Sequence, residues 1–235
     1  LKDKNQSEKR INKINLWNQT TKAWEVSNSS RNDEVYWSLT STGSACLIQS
    51  DGKIKFNKPG HGEVVIVHDP WRPVPAIGGH LSPEPGLADR KALDMRSDIA
   101  TFTSPIVEKK LQIEGIPVVK LITESDQKGF DLCVALSIIN QEQTKVTQIS
   151  TGFLRVIGDK AKKSLLREIV LQGVLADLNQ GEKLRLSLAG SSWPAIGINP
   201  GNEDHPCGTS GPHCNVITMS LQLSGSNFQV LPLLS

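Results

Sequence analysis

Residues 68–95 read HDPWRPVPAIGGHLSPEPGLADRKALDM and hold five of the chain's thirteen prolines. Each proline fixes φ, removes a backbone donor and pushes the residue before it towards extended geometry, so neither a helix nor a central strand can run through this segment. A long irregular segment inside a compact domain is usually functional or disordered. This one carries apolar side chains that favour burial, namely Trp71, Ile77, Leu81 and Leu87. We therefore predict an ordered loop that crosses between two sheets and is pressed against another surface.

Strand-like segments precede the loop. Alternating β-branched and aromatic residues, bounded by turn residues, predict strands over 12–18, 24–27, 34–40 and 64–69. Residues 46–56, CLIQSDGKIKF, predict a hairpin in which Asp51-Gly52 supplies the turn.

More strands are predicted after the loop. Their ranges are 96–104, 111–125, 130–140, 146–158, 168–178, 183–190, 215–224 and 228–235. Gly115 and Pro117 predict a bend in the second of these ranges, and Gly152 predicts a bulge in the fourth. A helix competes over 160–178, where we favour a short turn followed by a strand. Pro232 predicts that the last strand lies at a sheet edge.

The pattern as a whole predicts an all-β protein with very little helix. It gives roughly twelve to fourteen strands with turn residues between them, which is typical of a β-sandwich or jelly roll. Residues 1–10 predict a polar lead-in, and residues 11–235 a single sandwich domain.

Composition excludes several classes of partner. The 26 basic and 24 acidic residues give no electrostatic footprint for nucleic acid. No apolar run is long enough to cross a bilayer, so we expect no membrane partner. With no signal peptide and no initiator methionine, the chain reads as a piece of a longer protein.

Four cysteines bear on chemistry and compartment. Cys46 and Cys133 lie in strand-like runs and predict buried free thiols, which favours the cytoplasm. The other two lie in the loop HPCGTSGPHC, whose candidate metal ligands are His205, Cys207, His213 and Cys214. A zinc site, a disulfide and an inert loop all remain open there. The spacing matches no standard zinc pattern, so we predict no metal and no cofactor.

The sequence shows no catalytic machinery. No G-x-S-x-G nucleophile motif is present, and Thr209-Ser210-Gly211 is the nearest fragment. His68 and Asp69 could be a base and its orienting acid, but adjacent residues on a strand point to opposite faces, so a structural role is predicted. We predict no catalytic residue and no activity for this chain alone.

Several short motifs, taken in their order and spacing, resemble one family. They are Asp69-Pro70, Pro73-Val74-Pro75, Gly78-Gly79, Asp89-Arg90, Arg96-Ser97-Asp98-Ile99, Phe102-Thr103-Ser104-Pro105, Ile113-x-Gly115, Gly181-x-x-Leu184-Arg185-Leu186, Ser191-Ser192-Trp193-Pro194, Asn199-Pro200 and Leu231-Pro232. Together they resemble the C-terminal domain of X-Pro dipeptidyl-peptidases and cocaine-esterase-like (CocE/NonD) serine hydrolases. Trp193 departs from that family's pattern, which has phenylalanine at this position.

The resemblance implies a jelly-roll sandwich, galactose-binding-domain-like, that follows an α/β-hydrolase domain in the same chain. The catalytic triad would belong to that upstream domain, which would be the partner of this one. The parent protein would be a dipeptidyl-peptidase or acyl esterase. This domain would pack on the hydrolase and form a wall of its substrate pocket. The positions that match the pocket-facing segment are Gly78, Gly79, His80 and Leu81, and we add Trp71 and Trp193 as pocket-lining or interdomain residues.

Two other functions stay open at this point. The five tryptophans could stack sugars in a free-standing carbohydrate-binding module, although at least three lie in strand patterns, where core packing is the commoner fate. A structural sandwich without a ligand is the other alternative. The oligomeric state is left open.

Overall fold

A computed structural model describes residues 14–27, 36–204, 206 and 208–233. The predicted lead-in over residues 1–10 lies outside them. The first seven strands are β1 (Asn15–Asn18), β2 (Ala23–Val26), β3 (Tyr36–Thr40), β4 (Lys53–Phe56), β5 (Glu63–His68), β6 (Ala88–Asp89) and β7 (Ile99–Thr103). The other seven are β8 (Leu111–Ser125), β9 (Gly129–Ile139), β10 (Val146–Ile157), β11 (Leu165–Val170), β12 (Val174–Leu178), β13 (Lys183–Ala189) and β14 (Ile217–Leu231).

Helical structure is confined to two short 3₁₀ turns within the described residues, at Leu93–Met95 and Asp159–Lys162. Across that same part of the chain, no helix has the length and apolar character needed to span a membrane. The all-β prediction is therefore confirmed.

Two long strands organise one half of the sheet. β8 and β14 pair antiparallel with each other. The other edge of β8 pairs first with β12 and then with β11, and the other edge of β14 pairs first with β5 and then with β3. A second run of strands has the order β7-β13-β9-β10-β6, and β4 joins the two runs by pairing with β3 and, at Lys53 and Thr103, with β7.

Both runs contribute side chains to one apolar core. Burial alternates strictly along β5, as expected for a strand with one face inward. The largest fully buried members of the core are Leu39, Ile66, Phe102, Leu121, Phe130, Leu132, Leu136 and Phe228. The fold is therefore a multi-stranded, sandwich-like β architecture, and the jelly-roll strand order stays a prediction.

The hairpin predicted over residues 46–56 is wrong. Residues 45–47 form a turn, and only β4 is a strand, paired with β3. Asp51 instead stabilises the loop after β3, because its carboxylate accepts hydrogen bonds from the backbone N–H groups of Thr42 and Ser44, each at 3.0 Å. The Asp-Gly pair therefore serves a loop and does not close a hairpin.

Three details of the later strands also differ from prediction. The segment 168–178 is split, because residues 171–173 separate β11 from β12. The two strands predicted over 215–235 are one strand, β14, which lies between β8 and its partners β3 and β5 and not at an edge. The bulge in β10 lies between Gln148 and Ser150, not at Gly152.

Candidate functional site

The proline-rich loop joins β5 to β7 and covers one face of the second run of strands. Every residue of β9 is buried, which requires cover on both of its faces. The main core covers one face. A smaller cluster that includes Val74, Ile99, Cys133 and Ala189 packs on the other. The loop is pressed against a sheet, as predicted, but it crosses between two runs of one sheet and not between two separate sheets.

The start of the loop is tied to the segment after β13. The Val74 N–H donates to Ser191 Oγ at 2.8 Å, and the Trp193 N–H donates to the Val74 carbonyl at 2.9 Å. The Ala76 N–H donates to the Trp193 carbonyl at 2.7 Å. Two motifs far apart in the sequence are therefore neighbours, and Trp193 is fixed beside the loop.

The double glycine makes a turn that only glycine fits. Gly78 and Gly79 have φ of 55° and 74°, in the left-handed region. A Cβ at Gly78 would lie 2.5 Å from the carbonyl oxygen of Gly86. Gly79 and Gly86 exchange two backbone hydrogen bonds of 2.8 and 2.9 Å, which close the intervening segment. The Gln148 amide of β10 donates to the Ile77 carbonyl at 2.7 Å and holds the turn on the sheet.

A buried charge network fixes the end of the loop. Arg90 donates to Gln148 Oε1 at 2.8 Å and to Asp94 Oδ1 at 3.2 Å, while Arg185 Nη1 of β13 lies 3.6 Å from Asp94 Oδ2. The side chains of the two arginines are 9 % and 8 % exposed, and that of Asp94 is fully buried. Burial lowers the pKa of both guanidinium groups, and the Asp94 carboxylate opposes this effect. One carboxylate thus holds two buried cations together.

Sequence reasoning missed this network. Along residues 183–190 leucines alternate with Lys183, Arg185 and Ser187, and nothing local in this pattern indicates that a distant loop covers Arg185. The only available signal was that Arg90 and Arg185 both belong to the motifs that carried the family resemblance.

The outer side of the loop leaves large apolar side chains exposed. Trp71, Leu81 and Trp193 are 51 %, 47 % and 40 % exposed, although the loop's apolar residues were expected to be buried. Trp71 and Leu81 belong to the loop, whereas Trp193 lies beside it in the segment after β13, and we call these three exposed residues the outer face. Indole Nε1 of Trp193 donates to the Gly208 carbonyl at 2.9 Å, and the Trp71 N–H donates to Asp69 Oδ1 at 3.0 Å. Both tryptophans are therefore anchored while their rings stay accessible.

Four of the predicted residues meet at the double-glycine turn. The His80 ring stacks parallel to Phe153 of β10, with centroids 6.2 Å apart. Gly78, His80 and Leu81 help to line a cavity of about 40 Å³, and Gly79 follows Gly78 in the same turn. A cavity of that size holds water and not a substrate.

The metal candidates do not form a site among the described residues. His205 and Cys207 lie outside them. His213 is exposed, and Cys214 is a buried free thiol whose sulfur accepts a hydrogen bond from the Gly211 N–H at 3.4 Å. In the part of the chain that the structure covers, no three His, Cys, Asp or Glu side chains are grouped to hold a metal ion.

Cys46 and Cys133 are free thiols, as predicted. Cys133 is buried in β9, whereas Cys46 lies on a turn and is only partly buried, which corrects its placement. Burial, aided by nearby Asp98, raises the pKa of Cys46 to about 12. Burial, aided by Asp131, raises the pKa of Cys133 well above its usual value. Neither thiol is an activated nucleophile.

His68 has a structural role and no catalytic partner. It is 1 % exposed at the end of β5, and neither ring nitrogen has a hydrogen-bond partner among the described residues. Burial lowers its pKa, against the opposing charges of Asp131, Asp98 and Asp69, while Arg96 adds to the lowering. His68 and Asp69 therefore do not form a base and its orienting acid.

We expect His68 to make the domain less stable in mild acid. Because the folded state lowers its pKa, the unfolded chain binds more protons below about pH 6.5, and the free energy of unfolding falls as the pH falls. The contribution is at most about 1.4 kcal/mol per pH unit. Urea unfolding at pH 7.5 and 5.0 should show a smaller acid loss in His68→Leu than in the wild type. The exposed-site control His61→Gln should keep the wild-type loss, and equal losses in all three proteins would refute the assignment.

The five tryptophans differ in burial, and not in the way that the strand pattern predicts. Trp37 stacks on Phe228 in the core, with centroids 4.7 Å apart. Trp17 and Trp24, which also lie in strands, are 46 % and 70 % exposed, so the expectation of core packing for these two is wrong. They belong to the β1–β2 ribbon, a two-stranded sheet of its own.

Comparison with known proteins gives both a family and a fold. Residues 3–229 match the family model of the X-Pro dipeptidyl-peptidase C-terminal non-catalytic domain. Among solved structures, an alpha-amino acid ester hydrolase aligns with 93 % of this chain at a TM-score of 0.75 and 18 % identity. An aminopeptidase from a marine sediment Thaumarchaeota archaeon aligns with 92 % at a TM-score of 0.69 and 16 % identity. A CocE/NonD family hydrolase from Staphylococcus aureus aligns with 92 % at a TM-score of 0.57 and 15 % identity.

The solved proteins are much longer than this chain. The alignment covers 40 % of each of them. At these identities the likeness concerns the fold alone. A comparison with curated protein sequences found no match.

Proposed function

The chain belongs to the X-Pro dipeptidyl-peptidase C-terminal non-catalytic domain family, and from this we propose that its proline-rich loop docks on the α/β-hydrolase domain of a serine hydrolase in the same polypeptide. There the loop forms one wall of the substrate pocket. The parent enzyme would be a dipeptidyl-peptidase or an acyl esterase.

One observation carries this proposal: the loop is anchored on its inner side and apolar on its outer side. Its inner side holds the Arg90–Asp94–Arg185 network, which makes the loop a fixed surface. Its outer face presents two tryptophans and a leucine. Tryptophan is enriched where interfaces bind most strongly, and rigid exposed apolar groups mark such sites.

The size of the solved neighbours supports the choice of partner. Each has more than half of its length outside the aligned region, which leaves room for a further domain. The cavity beside His80 is small, and a hydrolase domain docked over it would add a second wall.

Hydrogen exchange tests the docking directly. Amide protection over residues 69–92 should be higher in the full-length enzyme than in this 235-residue chain, while the exposed turn at residues 140–145 should exchange alike in both. Equal exchange of the loop in the two proteins would overturn the proposal.

Side-chain substitutions in the full-length enzyme supply the second test. Trp71→Ala and Trp193→Ala should each weaken docking by about 2 kcal/mol, as interface tryptophans do, and should raise KM for a p-nitrophenyl ester or a Gly-Pro chromogenic amide. Trp24→Ala, which removes the most exposed tryptophan elsewhere, should leave KM unchanged. The chain alone should hydrolyse neither substrate, and activity in it would mean an unrecognised nucleophile.

A further inference from the structure

The β1–β2 ribbon presents a pair of aromatic rings to solvent. Trp17 and Trp24 are directly opposite each other across the two strands, with ring centroids 5.6 Å apart and planes at 70°. Each indole is at least 46 % exposed, so the pair does not serve the core. An exposed aromatic pair on a soluble domain is a common feature of ligand and partner sites.

The ribbon is held rigidly on the body of the domain. The Gln19 N–H donates to the Leu175 carbonyl of β12 at 2.9 Å, and Thr20 Oγ1 donates to the Asp177 carbonyl at 3.1 Å. Asn18 is fully buried, and its Oδ1 accepts hydrogen bonds from the N–H groups of Thr20 and Thr21 at 2.9 and 3.1 Å. The position of Trp17 is therefore set before any ligand arrives, which lowers the entropy cost of binding.

A cleft of about 380 Å³ lies between the ribbon and the double-glycine turn. That volume is in the range of small-molecule sites. Trp17 and Leu87 give it apolar surface. Its remaining lining residues are Gln19, Gly79, His80, Gly86, Gln148, Ile149, Ser150 and Gln172. The cleft thus combines one aromatic face with several amide groups.

One residue of the lining holds a buried polar atom without a partner. Gln19 Oε1 is buried and accepts no hydrogen bond from any described residue. Because that atom is closed to water it is also closed to a ligand, so the polar contacts with a ligand fall to the other amide and hydroxyl groups of the lining. Gln172 supplies a second amide nearby, with its Oε1 already 3.5 Å from the Thr151 hydroxyl. The lining therefore suits a ligand that has hydroxyl or N–H groups beside an apolar ring face.

The charge of the lining limits the class of ligand. Among the described residues, no Asp, Glu, Lys or Arg side chain lines the cleft, and His80 is the single titratable one that does. A charged ligand would find no counter-charge there, whereas a neutral ligand needs none. A saccharide fits both requirements, because its ring has an apolar C–H face and its hydroxyl groups donate and accept hydrogen bonds.

We propose that this cleft binds a neutral saccharide, with a sugar ring stacked on Trp17 and its hydroxyl groups hydrogen-bonded to the amide groups of the lining. The cleft shares Gly79 and His80 with the loop that is proposed to dock, but the outer-face residues Trp71, Leu81 and Trp193 do not line it. The proposal therefore does not depend on docking to a hydrolase domain.

The test uses the 235-residue chain and three neutral probes: maltotriose, cellotriose and N-acetylated chitotriose. Isothermal titration and tryptophan fluorescence should show saturable binding of at least one of them. Trp17→Ala should weaken that binding by about tenfold, the effect of one good aromatic contact. Gln172→Ala should weaken it several-fold, and Trp17→Phe should retain part of it. The matched control is Trp71→Ala, which removes a similarly exposed tryptophan outside the cleft and should bind like the wild type.

Several outcomes would overturn the proposal. Saturation by none of the three probes would do so, and so would equal weakening by Trp17→Ala and Trp71→Ala. Thermal unfolding of each variant separates lost binding from lost folding, and if Trp17→Ala does not fold, Gln172→Ala and Trp17→Phe decide the question. Because no hydrolase domain takes part, failure here and failure of docking are distinguishable.

Discussion

Replacement of Asp94 by asparagine is expected to lower the free energy of unfolding by about 3–5 kcal/mol, the usual cost of removing one partner from a buried ion pair. The Asp94 side chain is fully buried between Arg90 and Arg185. Without its charge, two buried guanidinium groups keep no carboxylate to balance them. The proline-rich loop should then loosen, because Asp94 and Arg90 lie at its end while Arg185 belongs to the sheet. Urea unfolding at pH 7 measures the first effect, and limited proteolysis across residues 69–92 measures the second.

Asp98→Asn is the matched control. Asp98 also pairs with an arginine, at 2.8 and 2.6 Å from Arg96, but the side chains are 33 % and 18 % exposed. Solvent screens this pair, so its loss should cost about 1 kcal/mol or less. If the two variants were equally destabilised, burial would not be the property that makes the Asp94 network important.

Gly115→Ala is expected to cost about 3 kcal/mol or more, because strain and overpacking act together. Gly115 has φ of 137°, which side chains rarely adopt. A Cβ there would lie 2.1 Å from the carbonyl oxygen of Leu231, where β8 meets β14. Relief of that contact would require the two longest strands to separate. The free energy of unfolding from a urea titration gives the value.

Gly173→Ala provides the comparison for Gly115. Its new Cβ would meet nothing closer than Leu233 Cδ2 at 3.4 Å, and its φ is not in the left-handed region. We expect a change within about 1 kcal/mol of the wild type. A large loss in this variant as well would point to a general intolerance of side chains around β8.

The strands were largely predictable because their signal is local. Period-two alternation placed strands over 64–69 and 183–190 close to where β5 and β13 lie. The merging of the last two strands was not predictable in this way. Ser224-Gly225-Ser226 has the composition of a turn, yet it forms a bulge inside β14, with Gly225 at φ of 85° and the Ser226 hydroxyl accepting from the Ile122 N–H at 3.0 Å. That hydrogen bond comes from a strand about a hundred residues away in the sequence.

The candidate site was predictable only in part, for the same physical reason. Proline and glycine spacing marked the loop, and the family resemblance marked the double-glycine turn. The contacts that fix the loop join it to Ser191, Arg185 and Gln148, which are distant in the sequence. The exposure of Trp17 could not be predicted either, because a strand pattern does not show which strands have one face in solvent.

The position of β14 in the sheet has a consequence for how the domain is made. It is the last strand of the described chain, yet β8, β3 and β5 all pair with it. Those three strands are synthesised first, and the edges that pair with β14 stay unpaired until residues 217–231 have left the ribosome. Such edges are prone to aggregate, and pairing of distant strands is slow. A nascent chain that stalls before residue 217 should therefore depend on chaperones, and the half of the sheet built on β8 and β14 should form only after residue 231 has been made.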